Sequence, residues 1–113
     1  MAQKRNVALS QQENQAIGAF VSQGQKNFPS QIIRFALFGS KARGDSGPDS
    51  DVDILVLVKE EDRDLRGKLI DLASDISLEY EVLLSPRVIG EERWRARKGF
   101  QLYQNIARDA VAI

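Results

Sequence analysis

The chain has no cysteine and no histidine. The first absence excludes disulfides and thiolate zinc sites, and the second removes the commonest general base and metal ligand, so any catalysis must rest on carboxylates. Net charge is missing too, because sixteen Lys and Arg residues balance sixteen Asp and Glu residues. Without an excess of positive charge the chain shows none of the nonspecific attraction to polyanions that marks many nucleic-acid binders, so direct nucleic-acid binding is expected at most locally. No apolar run approaches the ~20 residues that span a bilayer, and the segment Met1 to Val7 lacks the apolar stretch of a signal peptide. A cytoplasmic protein with no membrane partner is expected. At 113 residues, the chain is read as one domain over 1–113, large enough for a modest core and too small for separate catalytic and substrate domains.

What is present is an alternation of helix and strand patterns. Ser10 with Glu13 three residues on fits a capping box, and Ala16, Ile17, Phe20 and Val21 recur at helical spacing. They predict a helix over about residues 10–27, ended by Pro29. Gln31 to Phe38 predicts a strand that delivers the chain to Gly39-Ser40; Ser40 to Arg43 predicts a helical turn, and Gly44, Gly47 and Pro48 a loop. Asp51 to Val58 predicts a second, buried strand. Acidic Glu60 to Asp64 suits the start of a helix whose face carries Leu65, Leu69, Leu72, Ala73 and Ile76. A third strand is expected over Glu79 to Leu84, with Pro86 interrupting after it. Glu91 to Lys98 predicts a polar helical segment with Trp94 buried, and Phe100 and Tyr103 beyond Gly99 are expected in the core. The alternation favours an α/β domain, a small sheet flanked by helices, with strand order left open. No repeat or low-complexity stretch occurs.

The chemistry concentrates in residues 39 to 53. Gly39 at a strand exit allows close backbone approach to a phosphate, Ser40 adds a hydroxyl donor, and Lys41 and Arg43 add positive charge. Asp51 and Asp53 fall on one side of a strand, where two like charges repel unless a cation sits between them. Two hard oxygen donors so placed suit Mg²⁺, which takes its other ligands from phosphates and water. Asp49, Asp51 and Asp53 with Glu60 imitate a calcium loop, but Ile54 stands where such a loop needs its sixth-position glycine. A third acidic group would complete a metal site or accept a proton; Glu79 and Glu81 are the candidates, and Glu81, deeper in the expected strand, is preferred. Arg93 to Lys98, four basic residues around Trp94, reads as a solvated helix face, with a partner surface as the alternative.

Gly39-Ser40, ten intervening residues and Asp51-x-Asp53 together resemble the signature of the polymerase-beta-like nucleotidyltransferases. Gly-Ser-Lys-Ala-Arg-Gly followed by Ser-Asp-Val-Asp-Ile-Leu-Val resembles their minimal, MNT-type members, and Leu102 to Ile106 extends the likeness. The resemblance implies an α/β (α+β) fold with a small mixed sheet, Mg²⁺ held by Asp51, Asp53 and Glu81, and ATP bound through Gly39, Ser40 and Arg43. The family more often carries Asp at the position that Glu81 would fill. It implies transfer of AMP from ATP to a hydroxyl of a partner protein. Similar stand-alone proteins are antitoxins of HEPN-domain ribonuclease toxins, so a HEPN toxin is the expected partner and a homo- or hetero-oligomer the expected assembly. Two other functions are compatible with the resemblance: neutralisation of such a toxin by complex formation alone, and transfer to a small hydroxylated molecule.

Overall fold

The computed structural model of the chain describes residues 9–45, 47 and 50–113. The segment Met1 to Val7, expected to carry no signal peptide, and the loop residues Pro48 and Asp49 lie outside the described residues. Helix α1 (Gln11–Asn27) starts at the capping box. Ser10 Oγ accepts from the Glu13 N–H at 3.0 Å, and the Glu13 carboxylate accepts from the Ser10 N–H at 2.8 Å. Strand β1 (Ile32–Phe38) runs directly into the short helix α2 (Gly39–Arg43), and β2 (Val52–Val58) follows the loop. Helix α3 (Arg63–Tyr80), strand β3 (Leu84–Gly90), helices α4 (Glu91–Ala96) and α5 (Gln101–Asp109), and a two-residue β4 (Val111–Ala112) complete the chain.

The sheet order is β3-β2-β1-β4, with β1 antiparallel to β2 and β4, and β3 parallel to β2. This is the mixed sheet flanked by helices that the sequence implied. Period-two alternation sends Phe35, Leu37, Ile54, Val56 and Val58 to one face, against Phe20 of α1 and Leu69 and Ile76 of α3. Ala36, Leu55 and Ile89 face the other way and meet Tyr103 and Ile106 of α5. Each such buried side chain contributes roughly 1.5–3 kcal/mol relative to exposure. Trp94 is half-buried, its ring 5.5 Å from that of Tyr103. Phe100, expected in the core, is instead exposed: as the cap residue of α5 it lies outside the buried stripe, with the Arg97 guanidinium over its ring.

The predicted third strand over Glu79 to Leu84 is not formed. Helix α3 extends through Glu79 to Tyr80, because its buried stripe of Leu65, Leu69, Ala73 and Ile76 continues one more turn to the partly buried Tyr80. Glu81 is the C-cap, in the left-handed conformation with φ 56°. Ser77 then joins helix to strand: its hydroxyl donates to the Ala73 carbonyl at 2.7 Å and accepts from the Leu84 N–H at 3.0 Å. Strand β3 follows and contains Pro86, which an edge strand tolerates when its nitrogen faces the open side.

Left-handed backbone costs a non-glycine residue about 1–2 kcal/mol, partly offset in glycine by the greater freedom of its unfolded chain. Glu81→Gly is therefore expected to raise the unfolding free energy by up to about 1 kcal/mol, read by denaturant titration. A lowered midpoint would show that the Glu81 side chain makes a contact worth more than the strain.

Candidate active site

The site is created by the register of two antiparallel strands. Phe38 of β1 pairs with Asp53 of β2, so the residue after Phe38 turns across the mouth of β2. That residue is Gly39, at φ 76°. A Cβ built there would overlap Asp53 Oδ2 and lie 3.2 Å from Asp53 Cγ, so glycine is required both by backbone conformation and by the carboxylate packed against it. Ser40 follows, and its carbonyl accepts the Gly44 N–H at 2.9 Å and the Asp45 N–H at 3.2 Å, which closes α2.

Asp51 is exposed one residue before β2, while Asp53 is half-buried on the sheet face that carries Leu55. Two residues apart along an extended segment, their Cα atoms stand roughly 7 Å from each other on one side. Burial pushes the Asp53 carboxyl above its ordinary value, and the neighbouring Asp51 charge adds to the effect; Arg87 and Arg43 oppose it. Among the described residues no hydrogen bond or ion pair reaches the Asp53 carboxylate.

The two basic residues of α2 point to opposite sides of the sheet. Lys41, expected to lend charge to a phosphate, is buried: Nζ pairs with Glu13 Oε2 at 2.6 Å and donates to the Gly47 carbonyl at 3.2 Å. Burial alone would raise the Glu13 carboxyl, but the hydrogen bonds from Lys41 and Ser10 hold it below the ordinary range. Arg43 is partly exposed and bridges Asp45 at 3.1 Å and Asp109, at the end of α5, at 2.8 Å. For Asp109 burial again acts upward, and hydrogen bonds from Arg108 and Arg43 overcome it.

Of the residues singled out from sequence, the fold brings Gly39, Ser40, Arg43, Asp51 and Asp53 to one end of the sheet. Glu79 and Glu81 do not join them as strand residues. Glu79 is exposed in the last turn of α3, and Glu81, at the helix cap, lines a small polar cavity with Ser10, Gln12 and Ser50 on the α1 side. The polar β3 residues that share a face with Asp53 are Ser85, directly opposite it, and Arg87. Neither is acidic, and no cluster of three or more metal-ligating side chains occurs among the described residues. Glu13, Asp109, Ser85 and Arg87 were missed from sequence. Only Glu13 carried a signal, which was absorbed by its role in the cap.

The donor set fits a hard divalent cation that accepts two protein carboxylates and fills its shell with phosphate and water. The fit is electrostatic: burial and the Asp51 charge disfavour the Asp53 carboxylate, Arg87 and Arg43 oppose them only in part, and a bound cation would favour it further. A group whose folded value is raised adds stability below its unfolded value and loses it as pH rises through the folded value. Asp53→Asn is therefore expected to raise the metal-free melting temperature at neutral pH, by an increment that fades on acidification. Mg²⁺ should raise the melting temperature of the native chain and leave that of the variant unmoved; a destabilised metal-free variant would contradict the account.

Glu13 and Asp109 carry the opposite sign. Their lowered folded values add stability above the ordinary carboxylate range, and it is lost as pH falls through those values. Calorimetric scans from about pH 7 to about pH 3 are expected to show a shallower fall in melting temperature for a Glu13→Gln, Asp109→Asn double variant than for the native chain. Parallel slopes would remove both pairs from the acid response.

A nucleotidyltransferase domain model matches residues 20–106. The chain is 33% identical over 97 residues to a Methanocaldococcus jannaschii protein provisionally named protein adenylyltransferase MJ0604, covering 86% of this chain and 93% of that one. It is 52% identical over 57 residues to a second, provisionally named protein adenylyltransferase MJ0141 from the same organism, covering 50% of this chain and 58% of the relative. One solved chain, from a toxin-antitoxin crystal structure with AMP-PNP, superposes with a TM-score of 0.55 at 19% identity, covering 82% of this chain and 68% of that one, a likeness of fold. No helix among the described residues is long and apolar enough to cross a membrane. With a family model spanning most of the chain and a relative matched across nearly its whole length, the chain belongs to the nucleotidyltransferase domain family.

Proposed function

We propose that the chain is a metal-dependent adenylyltransferase that moves AMP from ATP to a hydroxyl group of a partner protein. The observation that carries this reading is the packing of the Asp53 carboxylate against Gly39, which sets a paired acidic site beside a turn whose first residue carries no side chain. In this reading Asp51 and Asp53 hold Mg²⁺, and the Gly39-Ser40 backbone and the Ser40 hydroxyl hold the triphosphate. Arg43, kept in place by Asp45 and Asp109, presents its remaining N–H groups to the phosphates. When bound, the cation would neutralise charge on the phosphates and favour departure of pyrophosphate. The acceptor oxygen bonds to the α-phosphorus as the bond to the bridging oxygen breaks, and the acceptor proton passes to solvent or to a group on the partner.

The protein nature of the acceptor is supported by the names of the two relatives. The solved toxin-antitoxin chain of like fold supports a toxin as that partner, in this reading a HEPN-domain ribonuclease. A second reading, neutralisation by complex formation without transfer, is favoured by one observation: Ser85 stands opposite Asp53 on β3, with no acidic residue sharing that face.

Incubation with α-labelled ATP, Mg²⁺ and the product of the neighbouring gene separates the two. Label on the neighbour, at least about 100-fold reduced by Asp51→Asn with Asp53→Asn, is the expected result. Neutralisation of the neighbour by the double variant without label would replace transfer by binding.

A further inference from the structure

Lys41 lies inside the sequence that resembles a phosphate-binding turn, yet its ammonium is 3% exposed and turned away toward α1. Desolvating two charges is costly, and a buried ion pair is often matched or bettered in stability by apolar residues of similar volume, so stability alone explains this pair poorly. Its connections are more specific. The α1 cap fixes Glu13 through Ser10; Glu13 holds Lys41; Lys41 donates to the Gly47 carbonyl. That same carbonyl accepts the Ser50 N–H at 3.2 Å, and the Ser50 hydroxyl accepts the Gly47 N–H at 3.1 Å. Ser50 is the residue before Asp51. A continuous chain of polar contacts thus runs from the first turn of α1, through the turn that begins at Gly39, to Ser50, the residue before the acidic pair.

We infer that the Glu13–Lys41 ion pair positions the nucleotide site: it sets the Gly39–Arg43 turn and the hydrogen-bonded Gly47 and Ser50, which precedes Asp51, relative to each other, without touching the nucleotide. The inference rests on the proposed binding of a nucleotide at Gly39-Ser40. Both are positioning residues, and their charges matter because Lys41 must hold two oxygens on different segments at once, which a neutral side chain of equal length does not do.

The test is calorimetric titration of ATP with Mg²⁺ into the native chain, Glu13→Gln and Lys41→Met, with amide exchange followed in parallel. Glu13→Gln keeps an oxygen for the Ser10 N–H and so spares the helix cap. Both variants are expected to bind ATP about tenfold or more weakly, since small misplacement of binding groups is costly. The Gly47 and Ser50 amides should exchange faster in both, while central β2 stays protected. Unchanged ATP affinity in variants that melt earlier would reduce the pair to a fold-stabilising contact and overturn the inference. Tighter ATP binding by Glu13→Gln would overturn it differently, making Lys41 a phosphate ligand that Glu13 holds back. If the native chain bound no ATP, the nucleotide reading and this role would fall together, whereas native binding with unchanged variants sinks the positioning role alone.

Discussion

The architecture depends on one close approach, the Asp53 carboxylate against the Cα of Gly39. It follows from register: Phe38 opposite Asp53 leaves the next residue of β1 no course except across the start of β2. A shift of one residue would turn Asp53 toward α1 and α3 and carry Ile54 and Val56 away from them, and the acidic pair would be lost with the core. Because Ile54, Val56 and Val58 are buried without exposure on one face, the register is fixed by hydrophobic burial rather than by the site itself. The fold supplies the geometry, and the site inherits it.

A comparison within the molecule shows why this contact is more than packing. At the opposite end of the sheet a second glycine meets a second carboxylate: a Cβ on Gly90 would lie 2.7 Å from Glu61 Cγ. There the carboxylate is fully answered. Glu61 accepts the Gly90 N–H at 3.0 Å and pairs with Arg93 at 2.9 Å and Arg66 at 3.3 Å. Asp53 has no such partners among the described residues, and both burial and Asp51 disfavour its charge. The Glu61 carboxylate is satisfied at its sheet end, while that of Asp53 is left without a hydrogen bond or ion pair among the described residues, as the proposed cation site requires. A cavity of about 610 Å³ does lie at the Glu61 end, and there the Glu61 carboxylate is already held by Arg93.

Much of this was legible in residues 39–53 because the signals there are local. The capping box at Ser10 and Glu13 gave the start of α1 to the residue, and the β-branched run after Asp53 gave β2. Glu79 and Glu81 failed for a physical reason. The stretch Glu79 to Leu84 reads like a strand, but whether it forms one is decided by Tyr80, which packs against the core and carries α3 a turn further. The true β3 was masked by Pro86, whose penalty vanishes at a sheet edge that sequence order does not disclose. Lys41 was misjudged for a similar reason: a lysine in an exposed turn and a lysine folded back onto a distant glutamate read alike until the tertiary fold places them together. Asp109 carried no signal at all, since nothing local ties the end of α5 to a turn 66 residues earlier.

The two anchors of α2 suggest how so short a helix is held steady. Five residues make little internal hydrogen bonding and no independent stability. Lys41 ties the segment to α1 on one side of the sheet, and Arg43 ties it to α5 on the other. Neither anchor uses the Gly39-Ser40 backbone, which stays clear of side-chain partners at the end facing Asp51 and Asp53. Charge is thus placed where it fixes the turn from below and from the side, leaving the upper surface to a ligand whose own charge has the opposite sign to the arginine and the same sign as the aspartates. In the proposed function that conflict of signs is the physical reason for a cation: a polyphosphate approaching two carboxylates would be repelled, and Arg43, shared already with Asp45 and Asp109, could not offset both.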